Sequence, residues 1–249
     1  MDAIKWSCIR LTLLTSWRDE EALCQVLGGV KKRSIAFLGS VQHQRFLLTS
    51  AMIAQLTEVF SAWPHGLHLA YLAILCWAFL LRVASEALEL VKGGTQCAYA
   101  LQTGVAGALW VHGDKLHLRL RKRVNRPEGS WLSRECECDA VGLRLCPVHS
   151  LAPWLATLEE GQSLFSLSKG RVVSEHRRAL ALLGVPSAPP FTLKAYRAGR
   201  ATELAAKGVS LGEILRLGEW KSKAVLAYIN EDALDTAEFV QAMDSDDEQ

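Results

Sequence analysis

The stretch from 191 to 228, FTLKAYRAGRATELAAKGVSLGEILRLGEWKSKAVLAY, limits what this chain can fold into more than any other part of it. Its apolar spacing predicts three successive helices, 192–207, 210–217 and 221–228, divided at Gly208 and Gly218. A basic pair, Lys194 and Arg197, stands well upstream of Tyr228. Guanidinium keeps its charge near neutral pH and its planar fork bonds two phosphate oxygens at once. Fixed cations followed by a tyrosine hydroxyl make a layout for phosphoryl transfer through tyrosine.

The remainder of the chain predicts a body for such a site. Half of its 249 residues are apolar, enough for one full core. A Thr-Ser pair at 49–50 opens a helix through Phe60, Trp63-Pro-His-Gly66 breaks it, and an apolar helix follows over 67–81. That helix is shorter than the roughly 20 residues of a membrane span, so it reads as buried and no membrane partner is expected. A further helical piece is predicted over 85–90, and 91–107 reads as loop or strand. Alternating apolar and polar residues then predict strands at 108–112 and 116–121, a turn at Asn125–Gly129, and a partner strand over 130–136. Helices at 147–158 and 173–183 and a stiff linker at 186–190 lead into the stretch described first. The expected class is α+β, predominantly helical, with a small antiparallel sheet.

Net charge is only +2 and the pI about 8.2, too mild on average to imply a polyanion partner. The distribution says more. Between Lys115 and Arg134 seven Lys or Arg face one acid, Glu128, whereas the last six residues hold four acids. Within this hairpin Arg119, Arg121, Arg123 and Arg126 are candidate contacts to a polyanion. The N-terminus has no apolar run followed by a small-residue cleavage site, so an intracellular chain is expected. Three of the seven cysteines crowd into 136–146. Cys136, Cys138, Cys146 and His149 are a candidate structural zinc set, with reduced thiols in a tight turn as the alternative.

Taken in order, Leu80-Leu-Arg-Val-Ala-Ser-Glu-Ala-Leu88, the basic hairpin, and Lys194-x-x-Arg197 with Ala201-Thr202, Gly218-Glu-Trp220 and Tyr228 resemble the boxes of tyrosine recombinases, the phage-integrase-like DNA breaking and joining enzymes. The wording of the first box, Cys146-Pro-Val-His149 and Trp220-Lys-Ser-x-Ala224 looks closest to the eukaryotic, Crypton-like branch. The resemblance covers about 49–235. It implies the recombinase catalytic fold over 46–235, with 1–45 a remnant of an N-terminal helical DNA-binding domain or a linker, and 236–249 an acidic tail. It further implies that Arg82 and Arg197 clamp the scissile phosphate, Glu86 supports Arg82, and Lys194 and Trp220 add hydrogen bonds. Lys122 would protonate the leaving oxygen, and Tyr228 would form a 3′-phosphotyrosyl link without metal or ATP. Double-stranded DNA, a tetramer on paired sites and a nuclear location come with that reading.

Two alternatives stay open on the sequence. Lys194 where most members have histidine, Val124 beside the hairpin lysine, and the acid Glu219 fit a DNA-binding descendant that has lost strand transfer. A zinc-bearing helical interaction module is the other.

Overall fold

The structure is a computed structural model that describes residues 46–94, 107–123, 126–187 and 190–220; all lie in one compact unit beginning at Arg45. The predicted third helix of the last stretch (221–228), the 1–45 segment and the acidic tail lie outside the described residues, as does Tyr228.

Helix α1 (Ser50–Ser61) starts where the Thr49 hydroxyl accepts the Met52 N–H at 3.2 Å, and it buries Ile53, Leu56, Thr57 and Phe60, one stripe at helical spacing. Helix α2 (Leu67–Phe79) buries nearly every residue from Leu69 onward, so it runs through the middle of the core. Leu80 ends it in the left-handed region, at φ 49°, a conformation costly for a residue with a Cβ. Burial makes this tolerable: Leu80 is 1 % exposed and packs in a small second core with Ala201, Leu204, Leu211, Ile214 and Trp220.

The predicted helix at 85–90 is instead a π-helical turn (Val83–Ala87) running into a short strand, β1 (Leu90–Lys92). Strands β2 (Gly107–His112), β3 (Lys115–Leu120) and β4 (Ser130–Glu135) follow, in the sheet order β1-β2-β3-β4. The sheet is mixed where an antiparallel one was expected, because β1 pairs with β2 in parallel; β2-β3 and β3-β4 are antiparallel. Alternation places Leu116, Leu118 and Leu120 of β3 inside, with Leu118 facing Leu109 and Leu132 on its two neighbours. A one-turn helix α3 (Cys138–Val141) leads to α4 (Pro147–Ala156), which packs across β2, β3 and β4. Helices α5 (Lys169–Leu182), α6 (Ala195–Ala206) and α7 (Leu211–Gly218) complete the described fold.

One buried polar pair joins α5 to α6. His176, fully buried, shares a ring proton with the Val172 carbonyl through Nδ1 at 2.7 Å, so that nitrogen is the donor and Nε2 accepts the Tyr196 hydroxyl. Phe60 and Phe191 close over the imidazole. Burial pushes its pKa down to about 4, only partly opposed by the Val172 bond. An unfolded chain protonates this histidine near pH 6.5, so the unfolded state takes up a proton first as pH falls. Stability from the neutral pair is therefore complete above about pH 6.5 and is lost between there and about pH 4, a total near 3 kcal/mol. Urea midpoints measured from pH 7 to 4.5 should fall more steeply for the wild type than for His176→Gln. Equal slopes would show that His176 is not held neutral.

Candidate active site

Arg82 leaves the core directly after the left-handed Leu80. The π turn that follows bends the chain so that Glu86 comes back beneath Arg82: its carboxylate accepts the Arg82 backbone N–H at 2.9 Å and Nη1 at 3.3 Å. Single π turns inside helical segments are frequent at functional sites. Glu86 is 3 % exposed, and a buried carboxylate needs paired charge.

Arg123 supplies it from the hairpin. Its Nε and Nη2 donate to the two Glu86 oxygens at 3.1 and 3.0 Å, a bidentate fork, while Nη1 donates to Glu219 Oε2 at 2.8 Å. Burial pushes the Glu86 carboxyl up; the Arg123 bonds and charge, the Arg82 N–H and the Arg197 charge together outweigh it and leave the group below its ordinary value. Glu219 also accepts the Ser130 hydroxyl and pairs with Arg126 Nε at 3.7 Å.

The third contribution comes from α6 and the turn after α7. Gly199 lets α6 approach residue 48: a Cβ there would lie 1.9 Å from the Leu48 carbonyl oxygen. Glu203 of the same helix accepts the Ser50 N–H at 2.9 Å, tying α6 to the start of α1. Thus anchored, α6 carries Arg197 inward, 4 % exposed, where Nη2 donates to the Gly218 carbonyl at 2.8 Å and the guanidinium carbon sits 4.3 Å from the centre of the Trp220 ring. Gly218 has no side chain for a physical reason: the Trp220 ring occupies the place of its Cβ, 1.8 Å away. Glu219 then takes a left-handed φ of 51°, which turns its carboxylate toward Arg123.

Of the residues singled out in the sequence, the structure thus joins Arg82, Glu86, Arg123, Arg126, Arg197 and Trp220. Lys194, the residue at the N-cap of α6, is exposed, as are Lys122 and Arg121. Arg119 lies against the Trp131 ring at 5.4 Å. Strand alternation would turn Lys122 inward after Leu116, Leu118 and Leu120, but the β3-β4 ladder ends at the Leu120-Ser130 pair. Beyond it Arg123 and Arg126 bond to each other across the turn, N–H to carbonyl in both directions at 2.8 and 3.0 Å, and the inward position moves one residue on, to Arg123. Arg123, expected at the surface as a DNA contact, is instead 2 % exposed and engaged on both sides by carboxylates.

The four side chains Cys136, Cys138, Cys146 and His149 also converge, with ligand atoms all within 4.8 Å of one another. Among the described residues no helix is long and apolar enough to cross a membrane.

No family model matches the sequence, and no curated protein matches it. Among solved structures, the fold is similar to the crystal structure of XerH site-specific recombinase bound to difH substrate, a pre-cleavage complex, at a TM-score of 0.52 and 12 % identity. The match covers 74 % of this chain and 50 % of that one, so the chain spans about half the length of the recombinase it resembles. Identity this low speaks to fold alone: a predominantly helical unit with a small four-stranded sheet, arranged as in a site-specific recombinase.

Proposed function

We propose that this chain binds duplex DNA and cuts one strand by transfer of the phosphoryl group to Tyr228, as a tyrosine recombinase. The observation that carries the reading is the meeting of three sequence-distant segments, the Arg82 turn, the hairpin and the α6-α7 pair, at one cluster of arginines: Arg82 and Arg123 both bond Glu86, Arg123 also bonds Glu219, and Arg197 holds the Gly218 carbonyl beside that acid. A phosphodiester gains charge on its non-bridging oxygens during attack, and preset guanidinium groups stabilise that charge without reorganising. Arg82, one third exposed, and Arg197 take the phosphate, with Glu86 and Arg123 holding Arg82 in place. Lys194 and Trp220 add hydrogen bonds, and Lys122, outside the ion-pair cluster, reaches the leaving oxygen from the hairpin. Arg121, Arg126 and Arg119 grip flanking phosphates. ATP is not needed, because the tyrosyl ester conserves the bond energy for religation, and the guanidinium groups supply the charge stabilisation a metal would otherwise give. Assembly as a tetramer on paired sites, a nuclear setting and descent from a Crypton-like element belong to the same proposal.

A second reading has its own observation. Glu219 sets a carboxylate against Arg123 and Arg126, where an anionic ligand would otherwise draw on both. This favours a DNA-binding descendant without strand transfer. Nicked duplexes that release the 5′ strand on cleavage separate the two readings. The enzyme accumulates a covalent protein-DNA adduct; the descendant binds the same duplexes, with affinity falling steeply as salt rises, and forms none.

A further inference from the structure

The four-residue cluster at the end of β4 has dimensions that hydrogen bonding cannot produce. Nδ1 of His149 stands 3.1 Å from the sulfur of Cys138 and 3.4 Å from those of Cys136 and Cys146, and the Cys136 and Cys146 sulfurs are 3.8 Å apart. One ring nitrogen carries either a single proton or a single lone pair, so it can satisfy one thiol and not three. A disulfide between Cys136 and Cys146 is excluded in this arrangement, since bonded sulfurs lie about 2.05 Å apart. A tetrahedral ion fits instead. With Zn–S near 2.3 Å and Zn–N near 2.0–2.1 Å, the edges of the tetrahedron are about 3.8 Å between sulfurs and about 3.5 Å from sulfur to nitrogen. The four separations given match these edges to within about 0.4 Å, and the longest in the cluster is 4.8 Å, so binding draws that edge in.

We propose that Cys136, Cys138, Cys146 and His149 bind one Zn²⁺ in a closed, structural site. Three thiolates and an imidazole select a borderline-soft ion over Mg²⁺ or Ca²⁺, and with all four positions filled by protein no place remains for a catalytic water. Cys146 takes the N-cap position of α4, and its sulfur accepts the Glu137 backbone N–H at 3.4 Å. His149 follows one turn in on the same helix, while Cys136 and Cys138 bracket the step from β4 to α3.

The ion therefore fastens the free end of β4 to the helix that packs over the sheet. Its mechanical reach extends to the arginine cluster, because β4 begins at Ser130, which bonds Glu219, and carries Arg134, whose Nε donates to the Ala78 carbonyl at 2.7 Å near the end of α2. Losing the ion loosens the strand that positions the hairpin, without removing a group that touches phosphate.

Elemental analysis of the full chain, purified without chelator, decides the matter. The expected content is about one zinc per chain. It should drop at least about tenfold in Cys136→Ala and His149→Ala and stay unchanged in Cys76→Ala, which alters a cysteine buried elsewhere. On wild-type protein, where misfolding of a variant plays no part, a strong chelator should release the zinc, expose three further thiols to a thiol reagent and lower the melting temperature. Cobalt added back should give the absorption of a tetrahedral thiolate complex. Wild-type protein that contains no zinc, takes up no cobalt and has those three thiols fully reactive from the start would overturn the proposal.

Discussion

Arg123→Ala should lower stability by about 3–5 kcal/mol, a fall of roughly 10 °C or more in melting temperature for a domain of this size. The size of the effect follows from what the change leaves behind. Arg123 is the partner of two carboxylates, Glu86 and Glu219, each no more than 6 % exposed, and truncation leaves both buried beside a void. Glu86 retains Arg82, and Glu219 retains Arg126 at 3.7 Å and the Ser130 hydroxyl, so the structure should loosen around the hairpin before it collapses. Removing the charges together reverses much of the loss: Arg123→Met combined with Glu86→Gln and Glu219→Gln should be more stable than Arg123→Ala alone. Denaturant titration of the wild type and the two variants checks the pattern. A change within about 0.5 kcal/mol for Arg123→Ala would mean that the pairing is a surface ornament and not a buried network.

Arg197→Ala should reduce adduct formation at least about 10²-fold, the usual consequence of deleting one preset stabiliser of transition-state charge. The structure adds a second expectation. Arg197 also holds the Gly218 carbonyl and stacks on Trp220, so the same change should cost roughly 1.5–3 kcal/mol of stability while leaving the protein folded. Arg197→Lys separates the contributions, since it restores a charge but not the planar fork that spans a carbonyl and a phosphate together. Adduct yield and melting temperature measured on both variants give the comparison. Full cleavage by Arg197→Ala would remove Arg197 from the phosphate site and leave it a structural residue of the α6-α7 junction.

Much of the scaffold is legible from local chemistry. Thr49 announces α1, the apolar run announces α2, and the alternation of Leu116, Leu118 and Leu120 announces β3, because capping and period are properties of neighbouring residues. The departures come where distant residues decide. Val83–Ala87 is made of ordinary helix formers, yet it widens into a π turn around a carboxylate that must meet both Arg82 and a hairpin arginine 37 positions away. Strand β1 takes its direction from β2, a partner its own three residues do not specify.

The site divides along the same line. Arg82 and Arg197 stand out by family-like spacing, while Glu86 and Trp220 each fall one residue beyond the usual place; in the structure Glu86 bonds Arg82, and Trp220 lies against Arg197. Arg123 is not legible locally, since period-two counting turns Lys122 inward and only the Arg123-Arg126 closure shifts the register. The available signal was Glu219. An acid beside the predicted phosphate site demands an arginine partner if it is buried, and the hairpin carries the densest run of arginines in the chain.

If this cluster serves a tyrosine nucleophile, the residue joined to DNA identifies it. The full chain is incubated at low salt with a pool of nicked duplexes of randomised sequence, and any covalent complex is digested and its nucleotide-bearing peptide sequenced by mass spectrometry. The expected product is a 3′-phosphotyrosyl bond at Tyr228, absent from Tyr228→Phe. Absence of an adduct across the whole pool, or an adduct mapped to another residue, would contradict it.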